Sequence, residues 1–418
     1  MSLNMPIPAH TTTGTVQSLI GLPALMRMAL SGGDLHSLGE KLLSHAQSHP
    51  ADANALMDLS VVLQLRWKRE IALAVQAQAL QAQQLYRQPA ASAQPAIRLL
   101  AMMGAGDLMA NAPLEFLVEG SAVALDMLYV APGQPLPSVI PEHDLLFIAV
   151  SECDQNHSLL QHIERLTKSW PHPVLNKPER IASLNRDSVC ALLEGAPGLV
   201  MPLAARIDRQ TLEQIGRAHL PLTRVLEEGG FPLIVRPVDS HAGRGLVKLD
   251  SPASIADYLQ MMPESEFYIS RFIDYRGADG LFRKYRIVLI DGQPFACHMG
   301  ISQHWMIHYL NAGMAESAEK RAEEARFIAT FDTVFAPRHQ AALDAIYTRM
   351  GLDYLVLDCA ETRAGALLIF EADTSAVVHA MDPIDIFPYK QSQMHKVFDA
   401  FQALLSNTMQ RSRPFAAE

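Results

Sequence analysis

YLVLDCAETRAGALLIFEAD, residues 354–373, decides how this chain folds. It contains two apolar runs, the first carrying Asp358, joined by a short turn through Gly365. Each run is too short for a helix and rich in aliphatic residues, as a buried strand is. A strand has a period of two. Glu371 and Asp373 therefore share one face, and Phe370 and Ala372 share the other. If the two strands pair antiparallel, Asp358 comes to lie beside Glu371 and Asp373. Three carboxylates at one sheet end repel one another unless a cation lies between them. Mg2+ suits such a place, because it is a hard ion that prefers carboxylate and phosphate oxygens. Acidic residues also close many strands that bind nothing.

Working upstream, EFYISRFIDYRGADGLFRKYRIVLIDGQP (266–294) predicts an apolar strand reaching Phe272 and Ile273, then Asp274 and Asp279, then a basic strand with Arg283, Lys284 and Arg286. One guanidinium aimed at phosphates stabilises developing negative charge; the plain alternative is surface charge on an edge strand. Further upstream, IVRPVDSHAGRGLVKL (234–249) predicts two strands around a glycine loop. Gly243 and Gly245 let the backbone turn sharply and bring N–H groups close to anionic oxygens. Arg236, His241 and Arg244 are the polar candidates there, and an ordinary hairpin is the competing reading.

Between residues 96 and 200, FLVEG, ALDMLYVA and LLFIAVSE predict buried strands and LLQHIERLTKSW an amphipathic helix, with Leu159, Leu160, Ile163 and Leu166 on one face. This alternation is that of an α/β fold. The first 95 residues are rich in Ala, Leu and Gln. HPADANALMDLSVVLQLRWKREIALAVQAQALQAQQLYRQP (49–89) predicts two helices joined near Lys68. Leu56, Leu59 and Leu63 stand at buried positions, and Ala72 and Ala79 where the second helix crosses the first. That spacing resembles one tetratricopeptide unit, with Ser60 where a glycine is usual and a degenerate unit at 35–47. An ordinary helical hairpin is the alternative. In AESAEKRAEEARFIATF (315–331), Glu316, Lys320, Glu323 and Glu324 predict a solvated helix face.

Composition narrows the function classes. The chain has 418 residues, 49% of them hydrophobic and 19% charged, which suits two or three folded domains. Lys plus Arg total 34 against 44 Asp plus Glu, a formal charge of −10 that argues against nucleic-acid binding as the main task. Cys153, Cys190, Cys297 and Cys359 form no CxxC pair, so a disulfide scaffold and a structural zinc site are both unexpected. The longest apolar stretch, LIGLPALMRMAL (19–30), holds Pro23 and Arg27 and falls short of the ~20 residues of a membrane span. No secretion signal or membrane anchor is expected, and the cytoplasm is the expected location.

Each signal is modest alone, but their order resembles the ATP-grasp superfamily, and within it the RimK-type carboxylate–amine ligases, over about residues 170–405. The resemblance implies an α/β architecture: a helical module at 1–95, a pre-ATP-grasp α/β domain at 96–200 and an α+β ATP-grasp domain at 201–410. It implies ATP with Mg2+, or Mn2+ in its place. Arg236 falls on the strand residue that contacts nucleotide phosphates, and Ser240 to Gly245, including His241, Gly243 and Arg244, on the loop over them. Arg271, Phe272 and Ile273 fall on the adenine hinge, and Asp274 or Asp279 on the ribose acid. Arg286 falls on the arginine near the transferred phosphate, and Asp358, Glu371 and Asp373 on the metal ligands. Asp373 stands where Asn is most frequent. Arg236 and Arg186 stand where lysines are usual, which keeps the charge and changes the geometry.

In that reading a substrate carboxylate takes the γ-phosphoryl group of ATP and an amine then displaces phosphate from the acyl-phosphate. The substrates are a small-molecule or peptide carboxylate and amine, with no nucleic acid and no membrane. Arg283, His298, His304, His308, Tyr309 and Asn311, with Trp305 and His379 beside them, are the substrate-pocket candidates. His304 and His308 would share a face if their stretch were helical. A zinc site there lacks a clear third ligand, and ordinary packing competes with both. Two other functions fit the same residues: a non-catalytic ATP-binding scaffold whose helical front holds a protein or peptide partner, and a phosphotransferase. Whether the front recruits substrate, mediates a homodimer or only packs stays open at this level.

Overall fold

A computed structural model describes residues 17–227, 229–240 and 243–412. His241 lies outside the described residues. The chain begins with four helices: α1 (Leu22–Leu30), α2 (Leu35–Ser48), α3 (Ala53–Leu65) and α4 (Arg69–Ala82). Asp34 caps α2 by accepting from the His36 and Ser37 amides, and Asp52 caps α3 by accepting from the Ala55 amide. Ala72 and Ala79 are fully buried where α4 meets α3, and the Ser60 hydroxyl donates to the Ala72 carbonyl at 2.8 Å. Leu56 and Leu59 are buried; Leu63 is half-buried, with Val62 taking the interior place.

Three sheets follow. The first contains β1 (Leu85–Gln88), β2 (Ile97–Met103), β3 (Val123–Tyr129), β4 (Leu145–Ile148) and β5 (Val174–Leu175) in the order β1-β3-β2-β4-β5. β1 runs antiparallel to β3 and the other pairs are parallel. β4 is buried at every position, as strands covered on both faces are. FLVEG does not form the expected strand. Leu114–Leu117 is a single helical turn whose apolar residues pack on the sheet, an ambiguity inherent in so short an apolar run.

β6 (Leu199–Val200) and β7 (Ala204–Asp208) lead into the second sheet, completed by β8 (Leu233–Pro237), β9 (Val247–Leu249) and β10 (Glu266–Arg271). Its order is β7-β10-β8-β9, all antiparallel. The third sheet runs β12 (Gln293–Ser302), β11 (Phe282–Ile290), β13 (Tyr354–Glu361), β14 (Leu367–Asp373), then β6, which is parallel to β14. Apolar residues of the first and third sheets interlock in two shared cores, one of which also takes in Leu56, Met57 and Ala79 of the helical front and Phe401 of the C-terminal helix Lys390–Ser412. The second sheet has a core of its own, built on Ile207, Val235, Tyr258, Phe267 and Ile269. It is thus a separately packed lobe, and the cleft lies between it and the third sheet.

Candidate active site

The third sheet builds its charged floor by register. His298 of β12 stands opposite Arg286 of β11, Arg286 opposite Asp358 of β13, and Asp358 opposite Glu371 of β14. These four side chains thus form one row across four strands. The Arg286 guanidinium donates to both oxygens of Asp358, Nε to Oδ1 at 2.8 Å and Nη2 to Oδ2 at 3.1 Å. Lys284, two residues away on the same face, reaches Asp358 Oδ2 at 2.6 Å. Burial alone would raise the Asp358 carboxyl, but Arg286 and Lys284 hold it well below the usual range.

Glu371 has cations of its own. Arg186, at the start of the helix Arg186–Leu193, donates Nη2 to Glu371 Oε1 at 2.7 Å and Nη1 to the Phe370 carbonyl at 2.8 Å. Arg236 on β8 comes within 3.9 Å of the same Oε1 and so faces the third sheet from the opposite lobe. Burial again favours the neutral acid, and Arg186 and Arg236 outweigh it to keep Glu371 below its ordinary value. Arg236 is half-buried, and desolvation, with Arg186 nearby, pushes its guanidinium down to about 10. It also donates to the Ser240 carbonyl and, at 3.3 Å, to the Ser240 hydroxyl. Asp373 accepts from the amide and hydroxyl of Ser375 at 2.9 and 3.0 Å through Oδ1, and from that hydroxyl at 2.9 Å through Oδ2.

Gly243 and Gly245 have φ of +73° and +67°. At Gly245 a Cβ would lie 2.7 Å from Pro237 Cδ, so glycine is required for the loop to fold back on β8.

A cavity of about 650 Å³ opens between the lobes. Arg186, Arg236, Lys284, Arg286, Asp358, Glu371 and Asp373 line it, with Gly243 above and Arg271, Phe272 and Ile273 along the second sheet. His298, Trp305, His308, Tyr309 and His379 line its other end. Burial, with Arg286 and Lys390 nearby, holds His298 well below its ordinary value, so it is neutral at pH 7. His308 and His379 are lowered chiefly by burial as well.

Several expected residues lie elsewhere. Arg283 is not a pocket residue: strand alternation turns it away from Lys284 and Arg286, onto Asp279 (2.6 Å) and Glu323. Asp279 and Asp274, the ribose candidates, do not line the cavity: Asp279 holds Arg283, and Asp274 holds Arg363 (3.2 Å) and Arg276 (3.6 Å). Arg244 is exposed on Glu264 at 2.5 Å rather than over the cavity. The stretch 303–308 is not helical, so His304 and His308 share no helix face, and His304 is exposed and outside the cavity. Asn311 is also outside it, accepting from the His308 amide at 2.9 Å to close a short turn.

Two residues carry an unexpected network. Lys390 and Glu324 are buried, and Lys390 lines the cavity. Lys390 Nζ lies 3.5 Å from Glu324 Oε1 and 3.4 Å from Asp382 Oδ1, and 4.0 Å from the Tyr309 ring centre. Glu324 also accepts from the Met299 amide (2.9 Å), Tyr309 (3.0 Å) and Tyr389 (2.6 Å). The solvated-face expectation thus fails at Glu324: β12 and the C-terminal helix cover that face.

The carboxylate oxygens are hard donors, right in kind for Mg2+. Their arrangement does not fit it: Asp358 is held by Lys284 and Arg286, Glu371 by Arg186 and Asp373 by Ser375. Among the described residues no three His, Cys, Asp or Glu side chains converge as a metal site. No helix among those residues is long and apolar enough to cross a membrane.

No protein-family model matches the sequence. Among solved structures the chain is similar to a D-Ala:D-Ser ligase, VanG, from Enterococcus faecalis, at 14% identity over 74% of this chain and 99% of that one, with a TM-score of 0.46. It is similar to an ATP-grasp RimK-domain protein from Sphaerobacter thermophilus, at 14% identity over 74% and 99%, TM-score 0.42. A D-alanine–D-alanine ligase from Bacillus anthracis, complexed with ATP, aligns at 12% identity over 76% and 99%, TM-score 0.44.

Proposed function

We propose that this chain is an ATP-dependent carboxylate–amine ligase of the ATP-grasp type. One observation carries the reading: the row Glu371, Asp358, Arg286, His298 faces Arg236 and the glycine loop across a single cleft. Fixed cations from both lobes there match a polyphosphate, and the apolar Phe272 and Ile273 of the hinge match a base.

In this reading the adenine lies along Arg271, Phe272 and Ile273. Arg236 and Arg186 face the polyphosphate, and amides of the loop through Gly243 and Gly245 cover it. Arg286 and Lys284 face the group in transfer. A carboxylate oxygen of the first substrate forms a bond to the γ-phosphorus as the bond to the ADP oxygen breaks, and that oxygen leaves with the electron pair. The product is an acyl-phosphate. The amine nitrogen then bonds to the acyl carbon, phosphate leaves with its bridging oxygen, and the nitrogen loses a proton. Spread negative charge beside fixed guanidinium and ammonium groups supplies the electrostatic part of the catalysis, and the rigid floor supplies positioning.

The test is calorimetric titration of the protein with ATP, in magnesium-containing buffer and in EDTA, followed by ADP release against pools of carboxylates and amines. Absence of ATP binding in both buffers overturns the reading. A second reading, an ATP-binding scaffold, is favoured by the pairing of Asp358 and Glu371 with cations of the chain itself. ATP binding without turnover of any pool, unchanged in Glu371→Gln, selects it. A stable phosphorylated product instead of an amide selects a phosphotransferase.

A further inference from the structure

The outer wall of the cavity comes from a part of the chain that the ligase reading does not use. Met26, Ala29 and Leu30 of α1, Leu65 of α3, Trp67 in the α3–α4 turn and Met109 line it. None carries a charge. Met306 and Leu310, from the segment after β12, line the same cavity. Four large apolar residues of this rim lie open: Trp67 is 93% exposed, Leu310 88%, Leu30 54% and Met306 36%. An exposed apolar patch continuous with a polar, cation-rich floor marks a ligand surface rather than a core.

The helical front is anchored in place. Gln76 exchanges two hydrogen bonds with Gly106, its Nε2 donating at 2.9 Å and its Oε1 accepting at 2.8 Å. Arg69 pairs with Asp107 at 2.9 Å and Arg27 with Glu119 at 2.6 Å. Asp58 accepts from the Ile20 and Gly21 amides at 2.8 and 3.0 Å, which holds the start of α1 against α3. The helical part of the wall is therefore tied to the first α/β layer.

We infer that this wall selects one substrate of the ligase: an amino acid or short peptide whose bulky aliphatic or aromatic side chain packs on Trp67, Leu30 and Leu310 while its reacting end reaches the floor. The inference rests on the ligase reading for the reaction. Charge complementarity decides the occupant. The floor takes ionic groups, and the wall offers an ionic side chain no partner to replace its water.

The test uses the full chain with 5-fluorotryptophan in place of its three tryptophans, saturated with ATP and read by fluorine NMR. Trp67→Phe assigns the Trp67 resonance. Leucyl-leucine and phenylalanyl-phenylalanine are expected to shift that resonance and to bind at least tenfold more tightly than aspartyl-aspartate. Trp67→Ser and Leu30→Ser, both at exposed positions, are expected to weaken the apolar dipeptides about tenfold and to leave ATP affinity within twofold. Equal affinity for apolar and acidic dipeptides, or unchanged binding in both variants, overturns the inference while ATP binding keeps the ligase reading standing. A Trp67 shift produced by lipid vesicles and by neither apolar dipeptide also overturns it. Failure to bind ATP overturns the ligase reading itself.

Discussion

Glu324→Gln tests the buried network behind the cavity. The wild-type carboxylate is fully buried and meets four partners: the Met299 amide, the hydroxyls of Tyr309 and Tyr389, and the Lys390 ammonium at 3.5 Å. The substitution keeps shape and volume and removes the charge. Lys390, itself buried, is left with Asp382 at 3.4 Å as its remaining counter-ion. Breaking a buried ion pair from one side costs about 3–5 kcal/mol, because the survivor stays desolvated. Asp382 offsets part of that, so the expected loss is about 2–4 kcal/mol, or roughly thirtyfold to several hundredfold in the folding equilibrium at ~1.4 kcal/mol per decade. Urea unfolding of wild type, Glu324→Gln, Lys390→Met and the double variant measures it. The double variant should cost at least ~1.5 kcal/mol less than the two single losses together, the sign of a direct coupling. A Glu324→Gln loss below about 1 kcal/mol, or single effects that add within ~0.5 kcal/mol, refutes the network.

Other consequences concern the loop, the cations and pH. Gly245→Ala places a methyl 2.7 Å from Pro237 Cδ at a φ of +67°; a loss of about 1–2 kcal/mol in thermal unfolding and weaker ATP binding are expected. Arg186→Ala removes the 2.7 Å partner of Glu371 and should weaken ATP about tenfold or more by calorimetry, with circular dichroism unchanged. Burial pushes the Asp58 carboxyl up to about 6 from 3.8, against the pull of the Ile20 and Gly21 amides. The folded state then holds this proton more tightly than the unfolded one, so stability falls as pH rises from about 4 to 6. At 1.36 kcal/mol per pH unit that is about 3 kcal/mol. Urea midpoints across that range should lose this slope in Asp58→Asn.

Much of the site was legible because strands impose a period of two and pair in register. The pairing of 354–361 with 367–373 brings Asp358 opposite Glu371, as the two apolar runs and the Gly365 turn imply. The same rule, carried along β11, separates Lys284 and Arg286 from Arg283, and composition alone hid that distinction. Arg186 was legible only as the nearest basic residue; that it spans to Glu371 depends on how its helix meets β14, 185 residues away. Glu324 and Lys390 were not legible. The charged spacing of 316–324 matches a solvated face, and nothing local tells which turn β12 and the C-terminal helix will cover. His304 and His308 would share a face only in a helix; the stretch 303–308 is irregular, closed by the turn at Asn311, with Tyr309 packed on His298.

Acyl-phosphate formation in the cleft between the two lobes leaves a mark in oxygen transfer from the carboxylate to phosphate. The protein, ATP and a pool of amino acids and apolar dipeptides labelled with oxygen-18 in their carboxylates are incubated, and the released phosphate is analysed by phosphorus NMR. One labelled oxygen per phosphate, matched by ADP and abolished in Arg286→Met, is the predicted result. Turnover that leaves phosphate unlabelled, or that yields AMP and pyrophosphate, rules out an acyl-phosphate intermediate.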